Sequence, residues 1–384
     1  MDDRAGISKN LCITWLYRFI NLIPLHPLMT ARSLPQWTIE QDFAQISEQA
    51  QLSFDQLKDG HIFLTGGTGF IGTWILEAIR FVNEGQGANV HVTILTRNPE
   101  SFEAKYPHLF KHPNFHYLTG DVAKLPYEKL ASVGKFTHLI HAATDASAEL
   151  NEVNPLQMFD TIVLGTRQIL DFAVKENISK ILYLSSGAVY GQQSPGIDFV
   201  AEDSMSAPDC LNPKNTYAEA KRASEMLCAI YGKQFGCKIV IARIFALLGP
   251  LLNLDIHFAA GNFIRDAISG KKIRVSGDGR PERSYLYPAD LVVWLLAMLT
   301  HGSPGAAYNA GSDEGISIAD LAKLTSGLLG NHGYEVLGLT DSGWNPGRYV
   351  PSNQLIQDQL NVEQTVSLAE AIKRTAYWNG WRGV

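Results

Sequence analysis

The chain has 384 residues, 46% of them hydrophobic, enough to bury the core of one large domain or of a domain and a half. Its 32 basic and 38 acidic side chains leave a net charge of −6 without a long basic run, which argues against non-specific nucleic-acid binding and against attraction to an anionic membrane. Cys12, Cys210, Cys228 and Cys237 show no CxxC spacing and are too sparse for a disulfide scaffold, so a reducing, cytoplasmic setting is expected.

Residues 1–57 do not match the rest and stand as an N-terminal extension of unclear role. The apolar run "LCITWLYRFINLIPLHPL", Leu11 to Leu28, follows Arg4 and Lys9 as a signal or anchor core would. Arg18 and His26 interrupt it, prolines break it, and no small-x-small cleavage site follows. A helix or loop packed on the body is the expectation, with Met29 as an alternative start.

From residue 61 short β-branched runs alternate with longer amphipathic ones. The expected strands are 61–65, 90–96, 115–119, 137–142, 180–185 and 238–245, with helical stretches such as "TWILEAIRFV" and "TRQILDFAVKE" between them. Near-continuous apolar strands separated by helices describe a doubly wound α/β domain, a parallel sheet covered on both faces, over residues 58–245. Such sheets bind ligands at the carboxyl ends of their strands. Beyond residue 246 the pattern loosens into a Gly-rich turn and an acidic, loop-rich tail. Residues 246–384 read as a smaller lobe at the ligand edge, with a strand and helix near 285–311 returning to the sheet.

The first strand runs directly into Gly66, Gly69 and Gly72, spaced G-x-x-G-x-x-G. Glycine permits the tight turn, lets backbone N–H groups approach a pyrophosphate and lets the helix pack closely. A helix starting near Gly69 would aim its N-terminal dipole at the phosphates. An ordinary turn has the same composition, but the strand before and the helix after favour a Rossmann-type dinucleotide site. Where a site for NAD(H) wants an acid at the end of the second strand, Thr96 and Arg97 stand, which favours the 2′-phosphate of NADP(H), with NAD(H) as the alternative. Asp121, ending the third strand, could accept from an adenine amino group or simply close a turn.

The stretch "NPKNTYAEAKRASEMLCAIYGKQFG" reads as a helix with Asn215 as its cap and Gly236 as its stop. Tyr217 and Lys221, four apart, share a face near its start, and "YLSSGAVYG" delivers Ser185 and Ser186 to the same sheet edge. A hydride moving at a carbonyl carbon needs a proton moving at the oxygen, and Tyr217 can carry it. A phenol of pKa roughly 10 working near neutrality needs about 4 kcal/mol of shift. An exposed Lys supplies at most about 1 kcal/mol, so Lys221 must be partly desolvated and helped by the positive ring of an oxidised nicotinamide. Ser186 would hold the substrate oxygen beside Tyr217.

"TGGTGFIG", "GDV", "HAAT", "SSGAVYG", Tyr217-x-x-x-Lys221 and "GDGRPERSYLYPADL", in that order, resemble the extended short-chain dehydrogenase/reductases, in particular nucleotide-sugar epimerases, dehydratases and reductases. The resemblance covers residues 60 to about 384. It implies a Rossmann-type domain, a bound NAD(P), a Ser186–Tyr217–Lys221 catalytic set, and a nucleotide-diphosphate sugar in the C-terminal lobe. It also implies cofactor contacts from Phe70, Ile71, Val122, Ala142 and Ala143 beside the glycines, and a homodimer built from two helices per subunit. The family's 4,6-dehydratases carry Asp and Glu after the catalytic hydroxyl, where Gly187 and Ala188 stand here, which argues against dehydration. A 4-keto-6-deoxy-sugar reductase is favoured over a 4-epimerase with retained NAD; a protein that senses dinucleotide without turnover is a third option, disfavoured because Ser, Tyr and Lys are all kept. Arg283 matches the family's diphosphate-clamping arginine, Arg348 and Asn262 are further substrate candidates, and Ala246 replaces a position that is often Asn.

Three other features carry plainer readings. His108, His112 and His116 recur at every fourth position, but Pro113 breaks a helix there and no metal site is expected. Trp378 and Trp381 are expected in a terminal packing cluster, and Cys228 as a buried, inert thiol.

Overall fold

The apolar runs fold as strands β1 (His61–Thr65), β2 (His91–Thr96), β3 (Phe115–Thr119), β4 (His138–His141), β5 (Lys180–Ser186) and β6 (Lys238–Ile244). Each expected strand is found within one residue at either end. The structure is a computed structural model that describes residues 37–144, 148–178, 180–255, 259–339 and 346–383; the run Leu11 to Leu28 lies outside them.

After residue 246 follow β7 (Ile273–Val275), β8 (Glu282–Arg283), β9 (Ala307–Ala310), β10 (Ile316–Ser317), β11 (Tyr334–Val336) and β12 (Arg348–Tyr349). The main sheet has the order β3-β2-β1-β4-β5-β6-β9, and its pairs are all parallel. Strand order reverses between β1 and β4, the kind of switch point beyond whose carboxyl ends open α/β sheets bind their ligands. Thr65 pairs with His141 there, and Ser186 pairs with Ile244 two strands further on. The lobe adds a parallel β7–β11 pair and a small sheet in which β8 lies between β10 and β12.

Helices α1 (Ile39–Gln49), α2 (Gln51–Leu57), α3 (Phe70–Gln86), α4 (Pro99–Lys105), α5 (Pro107–Phe110), α6 (Tyr127–Ala131), α7 (Ala148–Val153), α8 (Pro155–Lys175) and α9 (Thr216–Phe235) precede or link the strands up to β6. After it come α10 (Ala259–Ile268), α11 (Pro288–His301), α12 (Ile318–Leu328), α13 (Gln354–Leu360) and α14 (Leu368–Trp378). One face of the sheet packs on a core that includes α3 and α11, the other on residues of α8 and α9. Among the described residues, no helix is long and apolar enough to cross a membrane.

Residues 39–57, grouped with the extension by their sequence, are two helices of the main core. Phe43, Ile46, Phe54 and Leu57 are buried there, and the Phe43 ring meets Trp74 of α3 edge-on at 5.5 Å. β9 returns the chain to the sheet beside β6, and residues 38–384 form one compact unit, so no gap in packing marks residue 246.

The two ends of this unit are pinned by a buried carboxylate. Asp42 of α1 is fully buried; it accepts from Arg374 of α14 at 2.6 Å and from the Tyr287 hydroxyl at the start of α11. Removing the cation strands a buried charge, so Arg374→Ala is expected to cost about 3–5 kcal/mol of unfolding free energy in denaturant titration. A loss below about 1 kcal/mol, as for a surface pair, would contradict this account.

Candidate active site

At the end of β1 the backbone turns at Gly66, whose φ of +73° is the left-handed conformation glycine adopts without strain. A Cβ there would meet the Ala142 and Ala143 backbone at 2.6 Å, so Gly66 is required by the approach of the turn to β4. Gly69 differs. It is the N-cap of α3, and a Cβ on it would meet, within 4 Å, the Gly66 oxygen at 3.3 Å and nothing else. The protein's own packing barely restricts that position, and the first-turn N–H groups of Phe70, Ile71 and Gly72 beside it have no intrahelical acceptor. A backbone left open at a helix N-terminus fits a pyrophosphate.

Beneath this turn lies a hydrogen-bonded chain that sequence reasoning did not assign. The Thr166 hydroxyl donates to the Ile162 carbonyl at 2.6 Å, so it accepts from His141 Nε2 at 3.2 Å. His141 Nδ1 then accepts from the Thr65 hydroxyl at 2.7 Å, and Thr65 accepts from the Ala143 N–H at 3.2 Å. Burial, aided by Lys221, lowers the His141 pKa to about 3, so a neutral imidazole props the ends of β1 and β4. The signal was its place in the quoted "HAAT" motif.

The remaining dinucleotide candidates lie along the same edge. Thr96 is buried with its hydroxyl 3.2 Å from that of Thr68, while Arg97 is exposed. Asp121 accepts from the Ala123 N–H at 2.8 Å, closing its own turn, and Val122 packs against Gly165 of α8.

The structure brings Ser186, Tyr217 and Lys221 together. Lys221 is 2% exposed, and its Nζ donates to the Leu184 carbonyl of β5 at 2.7 Å. The ammonium lies 5.0 Å from the Tyr183 ring centroid and 6.0 Å from that of Tyr217. Burial pushes its pKa down to about 7, against a smaller opposing pull from Glu225. Burial raises the Tyr217 phenol, and the hydrogen bond with Ser186 draws it partly back. Ser186 also accepts from the Ala188 N–H at 3.2 Å. Asn215 is the N-cap of α9 by position, but its side chain donates to Asp209; Asn151 of α7 supplies the oxygen that accepts from the Tyr217 N–H at 3.2 Å.

Behind this trio, Ser185 donates to Glu225 at 2.6 Å, and Glu225 pairs with Arg243 of β6 at 2.8 Å. Arg243 donates to the Tyr190 hydroxyl at 2.7 Å, which donates to Asn309 of β9 at 2.8 Å. Glu225 is one turn beyond Lys221, the periodic signal that could have found it.

Of the substrate candidates, Arg283 on β8 pairs with Tyr349, and Arg348 on β12 pairs with Glu282. Arg283 donates to the Glu282 carbonyl at 2.7 Å and lies 6.0 Å from the Tyr349 ring. Arg348 is held by the Glu282 carboxylate and the Asp198 carbonyl, and both it and Glu282 line a cavity of about 290 Å³. Asn262 is on α10, where its side-chain oxygen accepts from Arg265 at 3.1 Å.

Among the described residues no group of three or more His, Cys, Asp or Glu side chains is arranged to hold a metal. His108 contacts Glu77 at 2.7 Å and His112 packs on Phe115. Cys228 is buried, which raises its thiol pKa. One aromatic expectation is corrected: Trp381 packs on Tyr377 at 4.9 Å, but Trp378 is 45% exposed at the end of α14.

A glycine turn at the point of strand reversal, beside a Ser–Tyr–Lys cluster, defines the extended short-chain dehydrogenase/reductase class. The description of the NAD dependent epimerase/dehydratase family matches residues 62–311, and the chain belongs to that family. It is 28% identical over 317 residues to UDP-glucuronic acid decarboxylase 1 of Xenopus tropicalis, covering 83% of this chain and 71% of the relative. It is 26% identical to the dTDP-D-glucose 4,6-dehydratase of Mus musculus, covering 83% of this chain and 88% of the relative. Its fold is similar to that of a UDP-glucose 4-epimerase from Thermotoga maritima, with a TM-score of 0.71 at 21% identity, over 83% of this chain and 98% of the other.

The buried amine generates a stability prediction. Below about pH 7 Lys221 is charged in both folded and unfolded chains, and the folded state bears the full desolvation cost. Between about pH 7 and the unfolded value of about 10.4 the unfolded chain binds more protons, so stability climbs with pH. Lys221→Met is therefore expected to stabilise the fold at pH 6 by about 1–4 kcal/mol, the scale for apolar replacement of buried charges, with the gain fading toward about pH 10.4. Denaturant midpoints of both proteins across this range check it; a gain independent of pH would contradict a titrating amine.

Proposed function

We propose that this chain transfers a hydride at C4 of a nucleotide-diphosphate hexose, with NADPH reducing a 4-keto-6-deoxy sugar as the preferred reaction. The observation that carries this reading is the packing of Ser186, Tyr217 and buried Lys221 at the end of β5, beside the open Gly69 turn. The nicotinamide, when bound, supplies the hydride. Tyr217 gives its proton to the C4 oxygen, Ser186 hydrogen-bonds that oxygen, and Lys221 steadies the phenolate left behind. The first-turn N–H groups of Phe70 and Ile71 would receive the pyrophosphate, Ala142, Ala143 and Val122 would border the dinucleotide, Asp121 its adenine and Arg97 its 2′-phosphate.

Three features favour reduction. The phenol of Tyr217 is raised by burial, so it stands protonated at neutral pH, the form that protonates an alkoxide. Gly187 and Ala188 carry no titratable group to eliminate water. Thr96 and Arg97 replace the acid that a ribose 2′-hydroxyl would require. Arg283 is assigned to the substrate diphosphate; Arg348 could join it by releasing Glu282, and Asn262 is a further contact on α10.

A second reading, oxidation first with tightly held NAD, is favoured by the names of the relatives. Oxidation at C4 permits epimerisation, and on a uronate it creates a β-keto acid that loses carbon dioxide. The test begins with the dinucleotide released on denaturation, followed by titration of the protein with NAD(H) and NADP(H). Preference for NADPH, with its consumption by a 4-keto-6-deoxy nucleotide sugar, is expected, and Tyr217→Phe should lower turnover by roughly 10²–10⁴-fold. Stoichiometric retained NAD, with an epimer from UDP-glucose or carbon dioxide from UDP-glucuronate, would replace the first reading by the second.

The dimer is proposed through α8 and α9, whose exposed Leu156, Leu164, Met226 and Ile230 recur at helical spacing. Leu164→Glu with Met226→Glu is expected to halve the mass in sedimentation at unchanged helicity; an unchanged mass would rule this face out.

A further inference from the structure

Two side chains that the hydride step does not use meet behind it. Ser185 of β5 and Arg243 of β6 are partners in the parallel register, so both leave the sheet on the same face. There they reach one carboxylate of α9. Glu225 Oε1 accepts from the Ser185 hydroxyl at 2.6 Å and from Arg243 Nε at 3.1 Å, and Oε2 accepts from Arg243 Nη2 at 2.8 Å. The ion pair is largely enclosed, its arginine 16% and its glutamate 13% exposed. Arg243 Nη1 is occupied in turn, by the Tyr190 hydroxyl at 2.7 Å and the Glu202 carbonyl at 3.0 Å.

Glu225 lies four residues beyond Lys221 on the same helix, a spacing at which glutamate and lysine ordinarily pair. Here they do not. Among the described residues Lys221 is joined to no carboxylate, and its Nζ donates to the Leu184 carbonyl at 2.7 Å. Apolar residues in place of an enclosed Glu–Arg pair are often neutral for stability, so the pair asks for another role.

We propose that Arg243 is a positioning residue which, with Ser185, holds Glu225 away from Lys221 and so leaves the ammonium beside Tyr217. The groups that face Lys221 are Tyr217, Glu225 and Cys228 on α9, Tyr183 on β5 and His141 on β4. Burial keeps His141 neutral and holds the protons on Tyr183 and Cys228, so Glu225 is the charge among them that matters. Released from Arg243, its carboxylate would draw the amine off the Leu184 carbonyl and neutralise the cation that a Tyr217 phenolate needs.

The experiment uses full-length protein with lysine carbon-13 labelled at Cε, the Lys221 resonance assigned by its loss in Lys221→Met and followed by NMR through a pH titration. Arg243→Met is expected to raise the midpoint by about 1–3 pH units, the effect of an opposite charge brought into contact. Arg243→Met with Glu225→Gln, which leaves no anion there, is expected to return it to the native value or below. Turnover should follow, with kcat falling roughly 10- to 100-fold in Arg243→Met, as for one lost charge-assisted hydrogen bond, at little change in KM. It should recover in the double variant, a rescue that a merely structural arginine would not give. An unshifted midpoint in Arg243→Met, or a raised midpoint that persists in the double variant, overturns the proposal. If Arg243→Met does not fold, Arg243→Lys decides the point, because lysine keeps the cation without the fork that occupies both oxygens: a raised midpoint supports the proposal and an unshifted one overturns it. This inference rests on the function proposed above only for its turnover arm. Should the native chain turn over no nucleotide sugar, that function falls, while the titration still decides the role of Arg243.

Discussion

The arrangement of this molecule depends on the burial of one amine. Lys221 sits 2% exposed, with a β5 carbonyl as its hydrogen-bond acceptor and aromatic faces on its flanks. Desolvating an ammonium is costly, and a chain selected for stability alone would place an apolar residue there. Around it, α9 is pressed on the sheet with Ala218 and Ala220 buried, so backbone and small side chains set the distance between Tyr217 and Ser186. Glu225, one turn further along, opposes the desolvation of Lys221, and Arg243 and Ser185 in turn satisfy Glu225.

That support is layered by element. β5 supplies the hydroxyl, α9 the phenol and amine, β6 the cation behind them, and β9 the Asn309 amide that receives Tyr190. The neutral His141 chain does the corresponding work at the glycine turn, tying β1, β4 and α8 by neutral hydrogen bonds. Rigid supports of this kind hold reacting groups to within fractions of an ångström, which proton transfer requires. The lobe contributes through β8 and β12, whose register sets Arg283 opposite Tyr349. The two short strands thereby set the arginine proposed for the substrate diphosphate across from a tyrosine that lies against Gly187.

The parallel sheet was legible in the sequence because strands buried on both faces read as continuous apolar runs, and the helices between them keep their own period. Gly66, Gly69, Gly72, Ser186 and Tyr217 could be placed from the sequence because each lies within one turn of a strand end or helix start, and Lys221 because it follows Tyr217 on the same face one turn later. What escaped were relations between distant residues. Tyr349 comes up against Gly187 only through the pairing of β12 with β8, and Asn151 caps α9 in place of Asn215. Residues 39–57 resembled an extension because the groups they pack on, Trp74 edge-on to Phe43 and the Tyr287 hydroxyl on Asp42, lie outside the segment. Arg348 stands as a phosphate candidate, and what the sequence did not reveal is its ion pair with Glu282, its neighbour across the β8–β12 pair.

The central claim is that the groups at the end of β5 serve hydride chemistry at C4 in the reducing direction. It is tested most directly by one turnover with NADPH deuterated at the transferable position and a 4-keto-6-deoxy nucleotide sugar, read by NMR of the product. The account predicts deuterium bound to C4, and no product from Tyr217→Phe on the same timescale. A product free of deuterium, or label elsewhere in the sugar, would contradict it.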